Sequence, residues 1–134
     1  MTPALEEAVR LLRLAHRDRS TLVLLARIPE APMASLGFHA QQAVEKALKA
    51  VSVSRGIETR RTHDLAALAE MLLDVVGVTP FMLDELRPLN PFAVEYRYDD
   101  EFESGLSRDE VTELVERVLA WAESCVNSTA APRA

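Results

Sequence analysis

Along residues 3–26 apolar side chains recur as Ala8, Leu11, Ala15, Leu22 and Leu25, with Leu12 and Val23 widening the stripe. Arg10, Arg13 and Arg17 fall on the opposite side. That period predicts an amphipathic helix, and the Pro29 and Pro32 pair predicts its end. Asp18 stands inside the apolar sector, either as a helix-edge carboxylate or as a buried charge with a partner across the bundle. A second helix is predicted over residues 33–55, with Met33, Leu36, Ala40, Ala43, Val44, Ala47, Leu48 and Val51 on one face. A third starts near Asp64, follows Leu65, Leu68, Ala69, Leu72, Leu73 and Val76, and stops at Gly77. Thr79-Pro80 reads as N-cap and first residue of a fourth helix, interrupted at Pro88, with Asn90-Pro91 as a fresh start. Ser107 and Glu110 form a capping box ahead of a fifth helix striped by Val111, Leu114, Val115, Val118, Ala122 and Cys125. These elements predict an all-α fold, an up-and-down antiparallel bundle of four to five helices over residues 1–127 with a frayed tail over 128–134.

Composition strengthens that picture. Hydrophobic residues make up 49% of the 134 positions and aromatics 5%, so the core is aliphatic; only four glycines occur, which disfavours a sandwich or barrel. Cys125 is the single cysteine, which excludes an internal disulfide framework and fits a reducing compartment. The opening MTPALEEAVR places acids where a secretory signal needs positive charge, and the apolar run at 22–26 is too short for a bilayer. A cytoplasmic protein without membrane association is expected.

Charge adds a division. The net charge of −6 argues against a general nucleic-acid binder. Residues 1–61, however, carry ten basic and six acidic side chains, a net +4, while residues 62–134 carry five and fifteen, a net −10. A local anion site on the basic part is therefore permitted.

The second helix holds the most informative polar residues: His39, Gln41, Gln42, Glu45, Lys46 and Lys49, which include the only two lysines. Glu45 and Lys49 have the spacing of an ordinary intrahelical pair. Phe38 and Val53 share the polar sector, a mixture that fits either a solvated face or a surface meeting a second subunit or a ligand. Further on, Tyr96 and Tyr98 flank Arg97, and Asp99, Asp100, Glu101 and Glu103 follow. Arg97 suits an anionic ligand or a partner carboxylate, or else pairs with its own acids in a charged loop. No ligand spacing there is diagnostic of a metal, so no metal site and no cofactor are expected. The chain has no glycine-rich phosphate loop, nucleophile elbow, Cys-x-x-Cys or His-Glu-x-x-His. His16, His39 and His63 fall in or at the start of three different predicted helices, and His63 reads as a helix-start residue held by a local hydrogen bond.

The run from Phe38 to Ala50, FHAQQAVEKALKA, resembles the Gln-Gln-Ala-x-Glu-Lys-x-x-Lys-Ala signature of the HEPN family, the nucleotide-binding domains of higher eukaryotes and prokaryotes. Thr62-His63-Asp64-Leu65 resembles the family's next motif, Ala15 with Asp18 its first-helix element, and Arg97-Tyr98 its Arg-Tyr motif. The resemblance implies a helical bundle, usually a homodimer, commonly encoded beside a minimal nucleotidyltransferase with which it forms a toxin–antitoxin pair. It implies a dimeric nucleotide- or partner-binding module with Asp18, Gln42, Glu45, Lys46, Lys49, His63 and Arg97 as ligand- or partner-binding residues.

Many relatives are metal-independent ribonucleases in which an arginine and a following histidine drive attack of a 2′-hydroxyl on the adjacent phosphate. In this chain Arg97 and Tyr98 are the catalytic candidates, but the positions that should hold the histidine are Phe102, Glu103 and Ser104. A ribonuclease toxin with an atypical site, acting on RNA, is the alternative reading; it needs Arg97 and a substitute proton-transfer group, with Tyr98, His39 or His63 as candidates from elsewhere in the dimer.

Overall fold

Thr2 begins the first helix: its Oγ1 accepts from Leu5 N at 3.1 Å, and Pro3 takes the position where a missing N–H costs nothing. The computed structural model describes residues 1–59, 61–93 and 105–130. Among them the elements are α1 (Pro3–Ala26), α2 (Met33–Ser54), α3 (Leu65–Val76), α4 (Leu83–Leu86), a 3-10 helix (Arg87–Ala93) and α5 (Arg108–Ala130). No strand occurs among the described residues, and no helix there is long and apolar enough to cross a membrane.

α2 is the axis of the molecule. Leu36, Ala40, Ala43, Val44, Ala47, Leu48 and Val51 are fully buried, and the helix packs against α1, α5, α3 and the 3-10 helix. Its many alanines let those neighbours approach closely. α1 and α2 form an antiparallel hairpin through the 27–32 turn. α5 runs antiparallel to α1, since His16 pairs with Glu123, Arg19 with Glu116, and Arg108 reaches the end of α1. It therefore runs parallel to α2, with Arg108 near Ala31 and Arg55 near the Cys125 carbonyl. The intervening α3, α4 and 3-10 helix carry the chain back to the start of α5.

Two close approaches define the packing. The Phe92 ring lies over Gly37 in the space that a Cβ there would occupy. Arg108 spreads its guanidinium over the carbonyls of Leu25, Ile28, Pro29 and Ala31, at 3.1, 2.9, 3.1 and 2.5 Å. It thereby binds the Leu25 carbonyl in the last turn of α1 and three carbonyls of the turn that follows, fixing that turn to the start of α5.

The predicted starts of α3 and α5 are present. Asp64 Oδ1 accepts from Ala67 N at 3.2 Å, Gly77 ends α3 at φ 73°, and Ser107 and Glu110 bond reciprocally at 3.1 and 3.2 Å. α5 continues helical to Ala130, past the start of the expected tail; residues 131–134 lie outside the described residues. The fourth helix differs from expectation. The Thr79 hydroxyl donates to the Phe81 carbonyl at 2.7 Å instead of capping a helix, and the α-helix is limited to Leu83–Leu86. Phe81 turns into the core and meets Trp121 of α5 edge-on at 5.2 Å. Asn90-Pro91 does not open a new α-helix; both lie within the 3-10 helix, and Asn90 braces α3 by accepting from Leu65 N at 2.9 Å.

Candidate functional site

Two carboxylates organise the polar residues of α2. Asp18, two-thirds of the way along α1, points at α2 from a position 12% exposed. Its Oδ1 accepts from His39 Nδ1 at 3.0 Å, and its Oδ2 from the Lys46 ammonium. The choice between helix-edge and buried charge is thereby decided: Asp18 is largely buried and has partners across the helix pair.

The second carboxylate, Glu45, is more deeply buried at 7% side-chain exposure. Its Oε1 accepts from His63 Nδ1 at 2.7 Å and from Gln41 Nε2 at 3.0 Å, while Oε2 accepts from Lys49 Nζ at 3.1 Å. Burial pushes this carboxyl up, but the hydrogen bonds from His63, Gln41 and Lys49, with the Lys49 charge, outweigh it and hold the group below its usual range. Gln41 is fully buried. Its amide also donates to the His63 carbonyl at 3.3 Å, and its Oε1 accepts from Gln42 Nε2 at 2.7 Å. His63 is thus gripped by α2 at both its backbone and its ring, while 67% of its side chain stays exposed.

The arrangement is duplicated. Each carboxylate gives one oxygen to an imidazole Nδ1 and the other to a lysine ammonium. An ionised carboxylate only accepts, so both Nδ1 atoms carry the proton and both Nε2 atoms are acceptors in the neutral ring. Lys46 and Lys49, three residues apart, lie side by side on the helix. Burying this much polarity is costly and adds little stability compared with an apolar core, which favours a role in positioning the exposed groups. Phe38 stands edge-on to His39, ring centroids 5.3 Å apart.

Of the expected ligand-binding residues, Asp18 and Lys46 join the first cluster and Gln42, Glu45, Lys49 and His63 the second; Arg97 and Tyr98 lie outside the described residues. Two expectations change. Gln41 and Glu45 are not on a solvated face but buried, and the hydrogen bond of His63 runs to Glu45, 18 positions away, not to a local group. Sequence reasoning noticed Gln41 without assigning it to the site, and gave His39 a role only as a substitute proton-transfer group in the ribonuclease reading; Asp18 in an apolar sector, opposite a helix carrying histidine and lysine, was the available signal. Among the described residues no group of three or more His, Cys, Asp or Glu side chains is placed to hold a metal ion.

No curated protein and no solved structure matches the chain. The HEPN domain model, in contrast, matches residues 8–125, a span that contains both carboxylate clusters and runs from α1 into α5. On that match, over most of its length, the chain belongs to the HEPN domain family.

Proposed function

We propose that this HEPN protein is a dimeric nucleotide- or partner-binding module, working in a toxin–antitoxin pair with a nucleotidyltransferase-like protein. The observation that carries the reading is the duplicated His–carboxylate–Lys arrangement on α2. It offers two ammoniums and two positioned imidazoles on one face, with Gln42 beside them, a donor set suited to phosphate and sugar oxygens. Family membership supports the nucleotide side of the reading. Arg97 belongs to the proposed contact set through its motif. The test is titration of the purified protein with a fluorescent single-stranded ribo-oligonucleotide, alongside size exclusion and co-purification with the nucleotidyltransferase-like protein. Replacing Lys46 and Lys49 by Ser is expected to weaken binding by roughly tenfold or more. Equal affinity in the variant, or a monomer that retains no partner, sinks the reading.

A second reading, ribonuclease activity, draws support from the two carboxylate-held imidazoles, which are candidates for the missing proton-transfer group. Incubation with RNA in EDTA decides it: cleavage abolished by both Arg97→Ala and His39→Ala would replace the binding module with an enzyme.

A further inference from the structure

We propose that the groove between the last turn of α3 and α4 docks a basic amphipathic helix of a protein partner. The groove lies at the opposite end of α3 from His63, and the proposal does not rest on the nucleotide reading above. Local bonding forms it. The Thr79 hydroxyl donates to the Phe81 carbonyl at 2.7 Å and Phe81 turns inward onto Trp121, so the next side chain, Met82, faces outward and is 70% exposed. Arg117 of α5 donates to the Pro80 carbonyl at 3.1 Å and to Glu85 at 2.9 Å, which fixes the segment before any partner arrives. Leu73, Phe81, Met82 and Leu83 line a cavity of about 390 Å³, and Val78 beside them is also exposed. An exposed methionine next to an apolar hollow is a surface that adapts to an incoming side chain.

The charge beside the groove identifies the kind of partner. Glu70 and Asp74 are exposed and four residues apart, and Glu70 is three residues from Leu73, so the two carboxylates edge the side of α3 that lines the groove. Both are placed to the disadvantage of α3. Like charges at that spacing repel, and Asp74 in the last turn opposes the helix dipole, while the α3 sequence supplies no basic residue to offset either. At the far edge Asp84 and Arg87 pair with each other and leave the balance acidic. Two exposed carboxylates held at a cost to their own helix, next to exposed apolar surface, match a helix that presents leucine-like side chains to the hollow and lysine or arginine to the α3 edge. Cations repeating at helical spacing meet carboxylates at the same spacing, and their alkyl stems cover the apolar surface between.

The test titrates the full chain, by fluorescence anisotropy, with a leucine–lysine amphipathic peptide of about 18 residues, long enough to hold a helix. A counterpart with glutamate in place of lysine and a scrambled lysine peptide serve as comparisons. The ordered lysine peptide is expected to bind at least roughly fivefold tighter than either. Glu70→Gln combined with Asp74→Asn should weaken it by roughly fivefold. The same pair should raise the melting temperature, since both carboxylates act against α3. Met82→Ser should weaken binding by a similar factor through lost apolar contact. The exposed pair Glu6→Gln with Glu58→Gln removes the same charge elsewhere, and should change affinity by less than about twofold. No binding, equal affinity for the scrambled peptide, or equal losses in the two charge-removing pairs overturns the proposal, the last by reducing it to general attraction to an acidic protein. A change of oligomeric state on Met82→Ser, seen by size exclusion without peptide, also overturns it, because the face would then belong to a second copy of this chain.

Discussion

At Gly37 the absence of a side chain has a specific reason, because the Phe92 ring fills the place of a Cβ. Both residues are buried, so the ring has little room to retreat. Gly37→Ala is expected to cost about 1–3 kcal/mol through overpacking, seen as a lower urea midpoint with an unchanged slope. Glu45 supplies a second prediction at this scale. Its carboxyl is held below the usual 4.5 in the folded protein, so its contribution is present above the unfolded pKa and is lost as pH falls through the folded one. Wild-type stability should therefore fall more steeply than that of Glu45→Gln on acidification below about pH 4.5, measured by urea unfolding across pH. A parallel pH dependence in the two proteins would show that Glu45 does not carry it. Asp18 was readable from sequence as an oddity, since a carboxylate in an apolar stripe demands a partner. The His63–Glu45 bond was not, because helical periodicity says nothing about which loop residue settles on a helix 18 positions back.

Among elements, the α1–α5 junction depends on one side chain. α1 has no basic residue in its last turn. Arg108 supplies the charge from the start of α5, reaching four carbonyls that include those of Leu25 and Ala31. Arg108→Ala is expected to lower stability by about 2 kcal/mol, and Arg108→Lys to recover little, because an ammonium cannot span the fork. Thermal melts of the two variants check this; full recovery in the lysine variant would reduce the interaction to charge alone. Helices α1, α2, α3 and α5 were readable because stripe, cap and stop signals coincide. The 79–93 segment was not. Thr79 has the sequence of a cap, but its hydroxyl serves Phe81, whose ring is held in the core by Trp121. A tertiary contact thus outweighed a local signal, and Asn90 was recruited to support α3 instead of starting a helix of its own.

For the molecule as a whole, the division between a basic first part and an acidic second part does not carry over simply to the candidate site. Lys46 and Lys49 are each matched by a largely buried carboxylate, so the face is near neutrality. Nucleotide binding there should consequently depend weakly on salt. The slope of log K against log salt is expected to stay shallower than about −1, where each fully neutralised phosphate on a single strand contributes about −0.7. Fluorescence titration between roughly 50 and 200 mM salt measures it. A slope steeper than about −2 would mean that the lysines act as free charges and that the carboxylates are not their partners in solution.

The antiparallel register of α1 and α5 has one more consequence. Pairing of residue 16 with 123 and of 19 with 116 brings the first turn of α1 and the last turn of α5 to the same end of the bundle. A short glycine–serine linker can join those turns, and new ends can be opened at Val78, which is 95% exposed. Such a circular permutant should retain the helical circular dichroism spectrum and a cooperative melt. Its failure to fold would show that assembly depends on the order in which the helices leave the ribosome, and not only on how they meet.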